Sequence, residues 1–188
     1  MDTYTMMRHK NILILLLVCV LIIWFQIWFQ WPHRLLGVRL DILPALVLYC
    51  ALFRSWREMF LVCLAGGYLY DSFSLNPLGV TTLSLLLISY VVYRYRKVIL
   101  YKAVWVQTFL GFLTGVSVPL LTLLQLTGLE VAPMMGWSLL WVFSVLGMFT
   151  ALASPLMVWV MEYLMQKYAE PGKGLYLKNE GKILRREG

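Results

Sequence analysis

Charge is scarce in this chain, and so are the residues that do acid–base and metal chemistry. Only 13% of its 188 residues are charged, and nine Asp and Glu face 16 Lys and Arg. There are two histidines, His9 and His33, and three cysteines, Cys19, Cys50 and Cys63. The cysteines fall in three separate apolar runs with no CxxC spacing, so neither a metal site nor a disulfide is expected. Two distant histidines provide no HExxH pair and no partner for a Ser-His-Asp set. GxSxG and Gly-rich phosphate loops are also missing. An enzyme reading therefore lacks its parts, and no cofactor is expected.

Apolar residues make up 61% of the chain, and the mean hydropathy is +0.77. A soluble sphere of this size cannot hide that much apolar surface. The composition excludes an ordinary cytosolic enzyme, a disordered protein and a disulfide-stapled secreted domain. What fits is an all-α, polytopic membrane protein. Six apolar segments can be drawn: 11–31, 36–53, 59–73, 78–93, 103–127 and 135–165. They form one membrane domain, 1–166, followed by a basic tail, 167–188. The first segment is too long for a signal peptide. It ends in Trp31-Pro32-His33 rather than a small-residue cleavage site, so it reads as a retained span.

The bases give the direction. Arg8 and Lys10 precede span 1. Arg54 and Arg57 follow span 2. Arg94, Arg96, Lys97 and Lys102 follow span 4, and Lys167, Lys173, Lys178, Lys182, Arg185 and Arg186 lie in the tail. The opposite side holds only Arg34 and Arg39. This asymmetry predicts both termini in the cytoplasm, with Arg54, Arg57, Arg94, Arg96 and Lys97 on the cytoplasmic side of the bilayer. Tryptophans agree: Trp24, Trp28, Trp31, Trp137 and Trp141 fall near the outer ends, and Trp56, Trp105 and Trp159 near the inner. Bases spread between apolar runs in this way do not form a nucleic-acid surface.

Spans 2 and 3 each have an uninterrupted stretch of only about 12 residues, or about 18 Å, against about 30 Å of hydrocarbon. Asp41 and Asp71 are therefore expected near the outer side. Either they line one polar pocket, or each is an interfacial carboxylate touching water, Arg34 or Arg39. Asn76-Pro77-Leu78-Gly79 reads as a helix start, with Asn76 as the cap and Pro77 in first position. Gly111 and Gly115 have the four-residue spacing that lets helices approach closely, within the bundle or in a homodimer. Ser154-Pro155 is the natural bend in a sixth span too long to cross straight. Gln26 and Gln30 face a partner or a cavity, or are satisfied within the bundle. The tail reads as a solvated segment near anionic headgroups or as a docking segment.

Two stretches resemble a known family. Arg39-Leu40-Asp41-Ile42-Leu43-Pro44, running on through Ala45 to Tyr49, is similar to the start of span 2 in rod shape-determining MreD proteins. Ala65-Gly66-Gly67-Tyr68-Leu69-Tyr70-Asp71, continuing through Ser72-Phe73-Ser74-Leu75-Asn76-Pro77-Leu78-Gly79-Val80, resembles that family's most recognisable segment. Small residues there lead to Asp, a short polar turn and a Leu-Gly pair opening the next helix. The resemblance implies a non-catalytic inner-membrane subunit of the elongasome, which serves lateral peptidoglycan synthesis and cell shape. The implied partners are an MreC-like bitopic protein, the RodA and penicillin-binding-protein synthases, and MreB. Asp41, Pro44, Asp71, Asn76, Pro77, Leu78 and Gly79 are the candidate partner site. The arrangement is also similar to the S components of energy-coupling-factor transporters, which keeps a small-molecule-binding transport subunit as the alternative.

Overall fold

The computed structural model describes residues 3–28, 41–74, 77–96, 103–128 and 138–168. Among them are six helices and no strand: α1 (Thr3–Trp28), α2 (Leu43–Phe53), α3 (Trp56–Phe73), α4 (Val80–Tyr95), α5 (Val104–Gly128) and α6 (Ser138–Tyr168). All six expected segments contain a helix, with shifted ends. The second helix starts at Leu43 rather than at residue 36. Asp41 and Ile42 precede it, and Pro44 sits in its first turn, where a missing N–H costs nothing. Residues 36–40 lie outside the described residues. The third starts three residues early, at Trp56, because Ser55 is its N-cap and Glu58 reaches back to the Ser55 N–H at 3.4 Å. Hydropathy does not register that polar first turn. Lys167 and Tyr168, assigned to the tail, are the last two residues of α6.

The shortest helix is the most buried. Every residue of α2 from Leu43 to Leu52 is buried, and α2 touches each of the other five helices. A helix apolar on all sides belongs in the middle of a bundle. Around it α1 packs on α3, α3 on α4, α4 on α5 and α5 on α6. Leu15, Cys19 and Ile23 of α1 and Met157, Met161 and Met165 of α6 join the central cluster. At 11 residues, α2 is about 16 Å long. By length and composition α5 and α6 are apolar enough to cross a membrane, over Val104–Gly128 and Leu139–Met165.

Much of the outer surface is apolar. Trp28, Trp105, Trp159, Phe109, Met148 and Leu152 are each more than 60% exposed. In water such a shell would drive aggregation. Against lipid it is the surface expected of a spanning bundle.

The two long helices are held at small residues. A Cβ on Gly111 would lie 2.3 Å from Ser154 Oγ, and one on Gly115 would lie 2.6 Å from Thr150 Oγ1. The Gly111–Gly115 stripe is therefore spent inside the bundle, against α6. Helix α6 continues through Pro155. The carbonyl of Ala151 has no proline N–H to accept, and the Ser154 hydroxyl lies 3.2 Å from it while donating to Gln107 O at 2.8 Å. One side chain thus patches the proline defect and bridges to α5.

Candidate functional site

The two aspartates share one end of the bundle and have separate tasks. Asp41 is half-buried, and its Oδ2 accepts from the Tyr70 hydroxyl at 2.9 Å. Asp71, one residue further along α3, is 1% exposed. Its Oδ2 accepts from the N–H of Gly79 at 2.9 Å and of Thr82 at 3.5 Å, and from the Thr82 hydroxyl at 3.4 Å. Its Oδ1 accepts from the Thr81 N–H at 3.3 Å. The first N–H groups of a helix have no partner within it, and the helix dipole favours negative charge there. Asp71 supplies both from the end of the preceding helix. It is the cap of α4.

This arrangement corrects the expected helix start. Helix α4 begins at Val80 and its N-cap is Gly79, with φ +96. Pro77 lies outside the helix, and its carbonyl accepts the Val80 N–H at 3.4 Å. Asn76, expected as the cap, lies outside the described residues. The left-handed backbone at Gly79 is one that a residue with a Cβ adopts at a cost. Close approach of the two helices is secured by Gly67, where a Cβ would stand 2.5 Å from the Thr82 Cα.

The Asp71 carboxylate faces into the bundle, while Ser72 and the neighbouring apolar side chains face outward. Phe73 and Leu78 are each 64% exposed, and Pro77 is exposed beside them. A polar band continues from the cap into the α4–α5 interface. Ser84 is fully buried, its hydroxyl donates to Val80 O at 3.1 Å, and the Thr122 hydroxyl lies 3.2 Å away. Gln125 Nε2 donates to Ser84 Oγ at 3.2 Å. Sequence reasoning missed Tyr70, Thr81, Thr82, Ser84, Thr122 and Gln125. The signal available was the run Thr81-Thr82-Leu83-Ser84, unusually polar for a span. Pro44 lies in the first turn of α2, buried.

The arginines gather at the other end. Arg96 donates from Nη1 to Arg54 O at 2.6 Å, and its guanidinium sits 4.1 Å from the Tyr93 ring centre. Arg57 and Arg94 are exposed at the same end, by the antiparallel run of α3 and α4. Lys97 lies outside the described residues, as do Gln30, Arg34 and Arg39. Gln26 has a buried amide that meets no hydrogen-bond partner among the described residues.

A small crevice opens between α2, α4 and α5, lined by Pro44, Leu48, Leu85, Ser89 and Thr114 among others. Its two hydroxyls are turned away to backbone carbonyls: Ser89 to Leu86 O and Thr114 to Leu110 O. Among the described residues no group of three or more His, Cys, Asp and Glu is placed to hold a metal ion.

The chain matches the family of rod shape-determining protein MreD over residues 6–168. The chain belongs to the MreD family. It is thereby a membrane protein of rod shape determination, in a family of shape-determining structural proteins. No curated protein and no solved structure matches it. The MreD-like segment 65–80 is the segment organised around Asp71. Gly67 lets α4 approach, Asp71 caps it, and Gly79 makes the backbone turn.

Proposed function

We propose that this MreD-family chain is a non-catalytic inner-membrane subunit of the rod complex. In this reading six spans place both termini in the cytoplasm, and the bundle holds an MreC-like bitopic partner. Through that partner it helps to organise the synthases that build the lateral wall. The observation that carries the reading is the family match over residues 6–168. The geometry supports a particular division of labour. Asp71 has its carboxylate filled by α4, so it is a positioning residue rather than a contact. The contact falls to the exposed Phe73, Pro77 and Leu78 on the turn that Asp71 holds. Between helices in lipid the hydrophobic effect is weak, so affinity rests on the packing of such side chains and on a fixed shape.

The test is co-purification with the MreC-like protein of the same organism, tagged only on that partner, in mild detergent. A stoichiometric complex is expected. Phe73→Ala with Leu78→Ala should reduce capture while leaving the fold intact. Asp71→Leu should reduce capture together with thermal stability. A folded, monodisperse chain that is never captured would overturn the reading.

A further inference from the structure

The arginine end holds a second arrangement that the partner reading does not use. Helices α3 and α4 run antiparallel, in a register set by two contacts. Trp56 meets the Tyr90 ring edge-on at 5.5 Å, and Gly67 abuts Thr82. In that register Phe60 stands opposite Leu87, and Leu64 opposite Leu83. All four are 39–50% exposed, in two parallel rows along one seam. Helical spacing puts Arg57 one turn before Phe60 and Arg94 one turn beyond Tyr90. Each apolar row is therefore topped by one arginine: Arg57 stands opposite Tyr90, and Arg94 follows one turn, about 6 Å, nearer the end of the bundle.

Neither of these two cations has a neutralising neighbour among the described residues. Glu58, the nearest acid in sequence, is turned inward, 6% exposed, with its carboxylate on the Ser55 N–H. Arg96 is fixed on Arg54 O and Tyr93 and adds a third positive charge. Trp56 packs against both Tyr90 and Tyr93, which gives the rows an aromatic shelf at the depth where such rings favour the headgroup layer. Like charges one turn apart on adjacent helices, both on long flexible side chains within reach of one another, call for an anion between them. The apolar rows running away from that point call for a hydrocarbon chain attached to it.

We propose that this seam binds an anionic phospholipid of the cytoplasmic leaflet. Its phosphate lies between Arg57 and Arg94, and an acyl chain lies along Phe60, Leu64 and Leu87. Guanidinium suits this task because its donors match phosphate oxygens in pairs. The proposal rests on the membrane-embedded, arginine-end-inside reading, and not on partner capture.

The full chain is purified in mild detergent, incubated with equal phosphatidylglycerol and phosphatidylcholine of the same acyl chains, and examined by native mass spectrometry. Phosphatidylglycerol adducts should exceed phosphatidylcholine adducts by about thirtyfold, given what a pair of surface bases contributes against an anionic headgroup. Arg57→Gln with Arg94→Gln should bring the ratio close to one. Both side chains are exposed, and an unchanged circular dichroism spectrum shows that the double variant is folded. Equal retention of the two lipids by the wild type, or an unchanged ratio in the variant, would overturn the proposal. Dihexanoyl phosphatidylglycerol should compete poorly; if it matches the long-chain lipid, the acyl seat is wrong. Resistance of the wild type to carbonate extraction separates failure of the lipid seat from failure of the membrane reading.

Discussion

Asp71 is a carboxylate deep in an apolar bundle that needs no cation. Three backbone N–H groups and one hydroxyl fill it, and the start of α4 supplies the compensating partial charge. Replacing it with Leu leaves those donors with no acceptor in a buried site, at about 1–3 kcal/mol for each unsatisfied group. Asp71→Leu should therefore lower thermal stability in detergent by several degrees or prevent folding. Asp71→Asn keeps one acceptor oxygen and should cost about 1–2 kcal/mol, within the range of ordinary cap losses. If Leu and Asn melt alike, the carboxylate is not the cap. Gly79 makes a separate, backbone demand. Nothing stands within 4 Å of a Cβ there, so any penalty comes from φ +96 alone. Gly79→Ala should cost about 1–2 kcal/mol, visible as a lower melting temperature with capture of the partner largely kept.

Between elements, the bundle is assembled at points where backbone meets backbone. Helices α5 and α6 close over Gly111, Gly115 and Gly147, each of which would clash with the facing helix if given a Cβ. Gly115→Leu must push Thr150 and the Leu146 carbonyl aside, and overpacking of this kind costs about 1–3 kcal/mol or more. Gly128, at the end of α5 with open space around it, is the control. Gly128→Ala should fall within about 0.5 kcal/mol of wild type. Equal melting temperatures for the two variants would contradict the close α5–α6 contact. Ser154→Ala removes the bond to Gln107 O and the hydroxyl beside Ala151 O. It should loosen α6 at Pro155, cost about 1 kcal/mol, and speed hydrogen exchange there.

At the scale of the whole molecule, the three native cysteines are fully buried, so introduced ones report orientation. Ser72→Cys, exposed in the last turn of α3, should react with an impermeant maleimide from outside the cell. Arg94→Cys should react only after the membrane is opened. The reverse pattern would invert the proposed topology. Much of this organisation was legible in sequence. The rough limits of the described helices follow from apolar run length, because lipid-exposed segments cannot carry polar residues cheaply. The gathering of Arg54, Arg57, Arg94 and Arg96 at one end follows from their alternation with those runs. The family resemblance rested on two stretches, 39–49 and 65–80, and the match extends it to residues 6–168. The partners of individual polar atoms were not legible. Asp71 looked like a surface carboxylate or a pocket wall because its acceptors are used eight to eleven residues away, on the next helix. Asn76 looked like the cap because local sequence favours a local cap. For Gly111 and Gly115 internal packing was the preferred reading over a dimer contact, but spacing gives a face and not what lies across it. Hydropathy, spacing and charge order are one-dimensional, so the sequence alone determined the all-helical class, the rough limits of the described helices and the separation of the aspartate and arginine ends. Tertiary structure alone decided which α4 donors Asp71 satisfies, that α2 lies at the centre, and which side chains beside the turn stay exposed. Those outcomes depend on distances between residues far apart in the chain.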